Sequence, residues 1–353
     1  MITYDRNVLK MLKKEHKPIL IYGNMNTATV IYKTLISNAL IPKAFVVDKF
    51  AYKKNQFFNN LEVLCFDDIK NLNSYNIVIG FDNVEKTQAL FSLRKHLKFS
   101  VFHLFSPGNM FDWTPTFLKN NQSKFHNLRN LLADGKSKKI LDALIDAQLG
   151  KSNGLSNLLS LSDSKQYFNE LTFERDFTQE IFVDCGAFDG DSILKFASFT
   201  ENKYKKIIAF EPLKENYKLL KQKTLNIPSL NIIKKATWSK DAELSFQANS
   251  SASSVSSEGT CKISATTIDD VVKNQKVTFI KMDVEGSEYE SLLGAAKTIE
   301  RNHPKLAICV YHKADDIFRL SKLIQSFKVH YKYYLRHHSN RLSETVLYCI
   351  PKE

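Results

Sequence analysis

The fold is decided by the stretch Ile181-Phe182-Val183-Asp184-Cys185-Gly186-Ala187-Phe188-Asp189-Gly190-Asp191. An apolar run ends at an acid, and a turn with two glycines leads into a segment of helical spacing, so the pattern predicts a buried strand, a tight turn and a helix. Ligands of open α/β sheets bind at the carboxyl ends of strands, which makes this turn a predicted ligand site. Gly186 would let a ligand approach the backbone closely, and the N–H groups after Gly190 would face the same crevice.

Apolar runs alternate with helical segments from this strand to the end of the chain. The predicted strands cover residues 181–184, 207–211, 231–237, 277–283, 306–311, 332–337 and 345–350. The predicted helices cover residues 192–199, 214–225, 288–301 and 315–327. This alternation is typical of a parallel sheet with right-handed crossovers. The turn at 339–343 is too short for a crossover helix, so the last of the seven strands is expected to be antiparallel.

A smaller α/β series precedes the larger one. Its strands are predicted at 18–23, 44–48, 76–80 and 101–105, and a turn at 107–109 follows them. The pattern from 116 to about 161 is helical. We therefore divide the chain into a small α/β Rossmann-like domain at 1–113, a helical connector at 114–178 and a larger α/β domain at 179–353.

Two other segments have a less specific pattern. The turn at 22–26 contains one glycine, which is too few for a phosphate cradle. The first domain is therefore a degenerate copy of the fold, a reader of sugar nucleotides or a dimerisation module. The serine-rich stretch 249–257 is predicted to be a mobile loop.

Composition narrows the class of protein. The 353 residues are 43% hydrophobic and 25% charged, as in ordinary globular proteins, and no apolar run reaches the roughly 18–20 residues that cross a bilayer. The five cysteines are widely spaced and form no CxxC pair, which argues against a disulfide framework or a zinc site. We expect a cytoplasmic protein without a transmembrane segment. Its net charge of +13 would attract anions, including nucleic acid, phosphorylated sugars and anionic lipid.

Glycine spacing separates two kinds of ligand. Gly186 and Gly190 form a G-x-x-x-G pattern, whereas a pyrophosphate cradle uses G-x-G-x-x-G. The next predicted strand ends at Glu211, whose carboxylate can accept hydrogen bonds from both hydroxyls of a ribose. The pair Asp184 and Glu211 therefore fits an adenosine without phosphates better than a dinucleotide.

At this point the chain resembles the FkbM family of class I methyltransferases. The motifs that carry the resemblance are VDCGAFDGDS, IIAFEPLKENYKLL, TTIDDV and FIKMDVEGSEYESLLGA. The tail, with YHKADDIFRL, YYLRHHS and ETVLYC, is similar to bacterial members of the family. The resemblance covers about residues 165–351. It implies a Rossmann-like, seven-stranded domain that uses S-adenosylmethionine to methylate hydroxyl groups, often on sugars of natural products or surface glycans.

The resemblance also implies which residues contact the cofactor. Thr237 lies where such proteins meet the adenine, and Cys185 replaces a more usual small or aliphatic residue without disturbing the turn. The predicted cofactor site consists of Asp184, Gly186, Ala187, Phe188, Gly190, Asp191, Glu211, Pro212 and Thr237.

An acid and a histidine end two neighbouring predicted strands and are the candidate catalytic residues. A hydroxyl is a weak nucleophile, so methyl transfer needs exact positioning and benefits from a base. His312 titrates near neutrality and is the predicted base, while Asp283 is the predicted orienting acid. Glu285 and Glu288 are predicted to shape the acceptor side. A helix N-cap is the alternative for Asp283, and a divalent metal is a further alternative that the small number of acids disfavours.

A second class of function stays open. The net charge and the basic, aromatic stretch 331–341 also suit an RNA methyltransferase or a basic nucleic-acid-binding protein. His337 lies in this stretch and is either a polar strand end or a contact to the acceptor, so it joins the predicted substrate-binding residues. No RNA-binding appendage is recognisable. We therefore expect a carbohydrate or small polar acceptor rather than nucleic acid, and a homo-oligomer stays open.

Overall fold

Buried strands alternate with helices, as the apolar pattern predicts. The computed structural model describes residues 2–3, 8–81, 83–97, 100–102, 113–149, 151, 154–173, 176–247, 254–255 and 261–352. The predicted turn at 107–109, the end of the predicted strand 101–105 and most of the serine-rich stretch 249–257 lie outside these residues. Among the described residues, no helix is both long and apolar enough to cross a membrane.

The chain divides into two compact units that do not follow its order strictly. The first consists of Met1–Asn120, Lys139–Ser164 and His337–Ser343. The second consists of Asn121–Lys138, Lys165–Arg336 and Glu344–Glu353. The stretch 114–178 thus contributes to both units. Its helices are α4 (Pro115–Asn120), α5 (Gln122–Leu131), α6 (Gly135–Gln148) and α7 (Gly154–Leu161).

The first unit is built on a seven-stranded sheet in the order β1-β7-β6-β2-β3-β5-β4. Its strands are β1 (Ile2–Thr3), β2 (Ile19–Tyr22), β3 (Pro42–Val47), β4 (Phe57–Phe58), β5 (Leu61–Cys65), β6 (Asn76–Ile79) and β7 (Ser100–Phe102). Its other helices are α1 (Val8–Glu15), α2 (Asn26–Ser37) and α3 (Val84–Leu97). All neighbouring strands are parallel except β4 and β5, and the central strands are buried along their whole length. This is the expected pattern of a parallel sheet covered on both faces.

The second unit contains a second seven-stranded sheet. Its strands are β8 (Ile181–Cys185), β9 (Lys206–Phe210), β10 (Leu230–Ile233), β15 (Phe279–Met282), β16 (Lys305–Cys309), β17 (Tyr331–His337) and β18 (Thr345–Pro351). They lie in the order β10-β9-β8-β15-β16-β18-β17, and β18 runs antiparallel to β16, as the short turn before it requires. The helices are α8 (Asp191–Phe199), α9 (Lys214–Lys223), α10 (Ile268–Val272), α11 (Glu288–Leu293), α12 (Ala296–Asn302) and α13 (Asp316–Ser326).

A four-stranded sheet in this unit was not predicted. Its strands, in the order β11-β14-β12-β13, are β11 (Ala236–Thr237), β14 (Cys261–Thr266), β12 (Ala242–Gln247) and β13 (Ser254–Val255). The single strand predicted at 231–237 is wrong, because Lys234 and Lys235 interrupt the apolar run and the chain then pairs with β14 instead of β9. Part of the predicted serine-rich loop is likewise a strand, since Ser254–Val255 pairs antiparallel with β12.

The single helix predicted at 288–301 is two helices, α11 and α12, and Gly294 lies between them. A Cβ atom at Gly294 would lie 1.9 Å from the carbonyl oxygen of Trp238. The backbone at 294 therefore passes so close to the segment after β11 that only glycine fits there.

We predict that Gly294→Ala destabilises the protein by about 1–3 kcal/mol, because the new methyl group must displace backbone rather than a flexible side chain. Thermal and urea unfolding followed by circular dichroism measures the effect. Gly135→Ala is the matched control, since no atom lies within 4 Å of its added Cβ. An unfolding midpoint that is the same in both variants would contradict this account of Gly294.

Candidate active site and cofactor cavity

A cavity of about 500 Å³ opens in the second unit at the carboxyl ends of β8, β9 and β15. The chain leaves β8 towards β9 on one side, and β15 lies on the other, so the crevice is at the point where the strand order reverses. Such switch points are the usual ligand sites of open α/β sheets. The predicted site residues that line the cavity are Gly186, Phe188, Asp191, Glu211, Pro212, Thr237, Asp283 and Glu285.

Asp184 lies behind the cavity wall rather than in it. Its side chain is fully buried and forms an ion pair with Lys281, whose Nζ is 2.9 Å from Asp184 Oδ1. The Ser192 hydroxyl donates a hydrogen bond to the other carboxylate oxygen. Burial alone would lower the pKa of the Lys281 ammonium. The negative charges of Asp184 and Asp283 have the larger effect, so the pKa is raised. Asp184 therefore anchors the floor of the site.

Close packing within the protein requires the glycines of the turn after β8. Gly186 has φ +80°, and a Cβ atom there would lie 2.0 Å from the carbonyl oxygen of Asp283. Lys281 Nζ also donates a hydrogen bond of 2.8 Å to the Gly186 carbonyl oxygen. Gly190 has φ +92°, and its Cβ would contact Leu220 and Thr224. Close packing between strand ends, rather than room for a ligand alone, thus requires Gly186.

Glu211 is the acid that faces the cavity. It follows β9 directly and is 4% exposed. Its Oε2 accepts a hydrogen bond from Phe188 N at 3.0 Å, and its Oε1 accepts one from Leu213 N at 2.9 Å. Burial raises the pKa of Glu211, and the donors around it partly offset that rise. The carboxylate is therefore fixed in one orientation and keeps lone pairs for hydroxyl donors.

The remaining predicted cofactor residues differ in exposure. Phe188 has φ +48° and is 45% exposed, so its ring is available to a ligand. Thr237 is 2% exposed, and its hydroxyl lies 2.7 Å from the Ser291 hydroxyl oxygen. Ala187 is fully buried, and neither it nor Gly190 is among the residues that line the cavity.

Asp283 comes directly after β15 and accepts hydrogen bonds from two tyrosines. Tyr167 donates to Oδ2 at 3.0 Å, and Tyr311 donates to Oδ1 at 3.2 Å. Burial opposes ionisation of Asp283, but the charges of Lys281 and His312 outweigh it and lower the pKa of the carboxyl. Asp283 is therefore an ionised carboxylate at neutral pH.

His312 lies next to Asp283 in a group of carboxylates. Its Nδ1 is 2.8 Å from Glu288 Oε1, and its Nε2 is 3.4 Å from Asp283 Oδ1 and 3.5 Å from Glu285 Oε2. Burial opposes protonation, but Glu288, Asp283 and Glu285 outweigh it and raise the pKa of His312 to about 10. A protonated imidazole has no free nitrogen lone pair, so at neutral pH the predicted base is a cation beside the cavity.

The two glutamates predicted on the acceptor side have different positions. Glu285 lines the cavity with φ +51°, and burial, together with the charges of Asp283 and Glu288, raises its pKa to about 7. Glu288 is fully buried and accepts hydrogen bonds from His312 and from Val284 N. Glu288 is therefore placed to orient the histidine rather than to touch a substrate.

His337 is not among the residues that line this cavity. It belongs to the first unit, is fully buried, and its Nε2 lies 2.6 Å from the Arg341 carbonyl oxygen. Burial lowers the pKa of His337 to about 3, so it is neutral. The side chain closes the turn between β17 and β18.

The cavity residues that the sequence analysis did not select include Lys281, Tyr167, Tyr311 and Glu344. The sequence does contain a signal for Lys281: it lies inside the apolar run of β15. A lysine there is rarely buried without an acidic partner, so an acid on a neighbouring strand could have been expected. Tyr311 precedes the histidine that was selected. Tyr167 and Glu344 give no local signal, since long-range folding alone brings them to the site.

Residues 184–341, which contain the glycine turn, Glu211 and the acidic group, match the family defined by the methyltransferase FkbM domain. We therefore call residues 184–341 the FkbM domain. A crystal structure of a methyltransferase FkbM from Methylobacillus flagellatus KT has 22% identity and a TM-score of 0.66, over 99% of this chain and 94% of that one. At this identity the likeness shows the fold.

Other solved methyltransferases are similar only to about half of the chain. Fibrillarin from Aeropyrum pernix, with natively bound S-adenosylmethionine, has 7% identity and a TM-score of 0.37 over 53% of this chain and 71% of that one. An rRNA methylase from Streptococcus thermophilus has 16% identity and a TM-score of 0.33 over 50% of this chain and 88% of that one. No curated protein matches the chain.

We predict that Lys281→Met destabilises the FkbM domain by about 3–5 kcal/mol, because it leaves the Asp184 carboxylate buried without its cation. Chemical denaturation measures the loss. The double variant Lys281→Met with Asp184→Asn should recover much of it, since the uncompensated charge is then gone. Lys195→Met, which breaks the exposed pair with Asp191, is the control and should cost no more than about 1 kcal/mol. Equal effects of Lys281→Met and Lys195→Met would contradict the anchoring role.

Proposed function

We propose that the FkbM domain transfers the methyl group of S-adenosylmethionine to a hydroxyl group of a carbohydrate or sugar-containing acceptor. The observation that carries the proposal is the Glu211 carboxylate, which is nearly buried yet lines the cavity beside the left-handed turn at Gly186. A carboxylate held in this way can accept hydrogen bonds from the two hydroxyls of a ribose. The cavity volume of about 500 Å³ lies within the usual range of small-molecule sites.

The residues around Glu211 suit a nucleoside without phosphates. The exposed ring of Phe188 and the apolar atoms of Pro212 and Ala236 line the same cavity, so they can contact the faces of a flat base. Thr237 lies beside Ala236 on β11. Among the described residues that line the cavity, the cationic side chain is Lys281, and it is already paired with Asp184 rather than available to a phosphate.

Beyond β15 the cavity wall is acidic and aromatic. Asp283, Glu285 and Glu344 line it together with Tyr167 and Tyr311. Carboxylates accept hydrogen bonds from hydroxyl groups, and tyrosine rings offer flat apolar faces to sugars. Several carboxylates at one end of a cavity would repel the phosphates of a nucleic acid. This wall therefore favours a sugar over RNA as the acceptor.

The domain would accelerate methyl transfer mainly by positioning the acceptor hydroxyl relative to the methyl group. When bound, S-adenosylmethionine supplies a methyl group on a sulfonium. The ionised Asp283 would help to hold the acceptor in place, and Glu285 or Glu344 would accept the hydrogen bond of the reacting hydroxyl. As the new oxygen–carbon bond forms and the sulfur–carbon bond breaks, the hydroxyl proton would pass to Glu285 or Glu344. Burial, together with the charge of Asp283, raises the pKa of each of these two glutamates to about 7, which suits a proton acceptor at neutral pH.

We predict that Glu211→Gln weakens binding of S-adenosylhomocysteine by about 10- to 100-fold, because two charge-assisted hydrogen bonds become neutral ones. Isothermal titration calorimetry measures the affinity, and the thermal unfolding midpoint reports whether the fold is kept. Glu215→Gln is the matched control, since Glu215 is exposed and its carboxylate pairs with Lys218. Wild-type protein that takes up no cofactor product would overturn the proposal.

We predict that Asp283→Asn lowers methyl transfer by at least about 100-fold while leaving the affinity for S-adenosylhomocysteine within a few-fold of wild type. Label from S-[methyl-³H]adenosylmethionine, transferred to a cell extract, measures the reaction. The labelled product should survive ribonuclease and protease and should be found in the carbohydrate fraction. Label that ribonuclease releases would identify RNA as the acceptor and refute the carbohydrate assignment.

A further inference from the structure

Three potential metal ligands converge at the end of the cavity wall. One ligand atom each from Asp283, Glu285 and His312 lies within 4.8 Å of the others. The two carboxylates are supplied by the loop after β15, and the imidazole by the segment after β16. Because β15 and β16 are parallel neighbours, their carboxyl ends bring these side chains together.

The Nε2 atom of His312 points towards the two carboxylates. Only 8% of the His312 side-chain surface is exposed. Among the described residues, its Nε2 has no hydrogen-bond partner. Its distances of 3.4 Å to Asp283 Oδ1 and 3.5 Å to Glu285 Oε2 exceed those of ordinary N–H···O hydrogen bonds. The proton on Nε2 is thus held only by long ion-pair contacts, and a metal ion that replaces this proton would give the buried nitrogen a close partner.

These two distances match a tetrahedral metal site. Two ligand atoms that each lie about 2.1 Å from a tetrahedral zinc ion are separated by about 3.4 Å. The observed separations of 3.4 Å and 3.5 Å agree with this value, and the three ligand atoms all lie within 4.8 Å of one another.

His312 also has the second hydrogen bond that metal-bound histidines usually make. A ligating imidazole typically donates its other N–H group to a carboxylate, which fixes the tautomer and the direction of the lone pair. His312 Nδ1 lies 2.8 Å from Oε1 of the fully buried Glu288. Val284 N donates to the same carboxylate at 3.0 Å. This contact keeps the Nδ1 proton in place and directs Nε2 towards Asp283 and Glu285.

Local charge favours a divalent cation as well. Asp283, Glu285 and Glu288 surround one imidazole, and the nearby Lys281 ammonium is already paired with Asp184 at 2.9 Å. A dication would balance the carboxylates that a single imidazolium leaves in excess.

We infer that Asp283, Glu285 and His312 form a binding site for a divalent transition-metal ion, with tetrahedral zinc(II) as the best-fitting ion. Asp283 and Glu285 also line the cavity, so the fourth coordination position would face it. An oxygen ligand there, water or an acceptor hydroxyl, would be polarised by the ion, and Glu344 rather than the metal-bound Glu285 would then accept its proton. The role of an acceptor hydroxyl rests on the proposed function, whereas metal binding itself does not.

Cobalt(II) is the probe, because a tetrahedral cobalt site with nitrogen and oxygen ligands absorbs visible light far more strongly than hexaaquo-cobalt. The full-length protein, treated with chelator and free of cofactor, is titrated with cobalt(II) and followed by its visible spectrum. We expect one equivalent to bind with tetrahedral bands that zinc(II) abolishes. His312→Gln and Glu285→Gln should each weaken binding by at least about 100-fold, and Glu288→Gln by about 10- to 100-fold.

His330→Gln is the matched control, because His330 is an exposed histidine of the same unit and should bind cobalt as wild type does. Retained S-adenosylhomocysteine binding and an unchanged unfolding midpoint show that each variant is folded. The Glu285 side chain is 37% exposed, so Glu285→Gln should fold and tests the site even if His312→Gln does not fold. Absence of the bands in wild type, or bands that persist in Glu285→Gln, would overturn the inference. Cobalt binding without cofactor binding would instead refute the proposed function alone.

Discussion

The buried ion pair between Lys281 and Asp184 is the interaction on which the site depends. The two residues are direct neighbours across the parallel strands β15 and β8, and Nζ lies 2.9 Å from the carboxylate. The same ammonium donates to the Gly186 carbonyl oxygen at 2.8 Å. One cation therefore fixes the ends of β8 and β15 and the turn that follows β8. An unpaired charge in this place would be strongly unfavourable, so the pair allows little freedom in register.

This constraint divides the cavity wall into two chemically different halves. On the β9 side, Glu211 is held by backbone N–H groups beside the turn that Lys281 secures. On the β15 side, Asp283 follows Lys281 by two residues, and its carbonyl oxygen occupies the space that a side chain at Gly186 would need. We propose that the first half is the nucleoside site and that the second, with its carboxylates and tyrosines, is the acceptor site. Both are set by the same short segment of β15.

The sequence predicts the frame of the domain better than the environment of its acids. Alternating apolar runs locate the main strands, and the turn at 339–343 predicts the reversed last strand. The same reasoning treats Asp184 and Glu211 alike, although one is neutralised by a lysine 97 positions further along the chain and the other faces the cavity. Glu288 also appears as one more acid near the acceptor, whereas it is buried against His312. Such differences arise from contacts across strands, and periodicity within one segment carries no information about them.

A crystal structure of the protein with S-adenosylhomocysteine tests the central claim most directly. The account predicts that both ribose hydroxyls lie within about 2.6–3.2 Å of the Glu211 carboxylate oxygens, with Lys281 still paired to Asp184 behind the turn. A nucleoside bound elsewhere, with Glu211 bonded to backbone N–H groups alone, would contradict it.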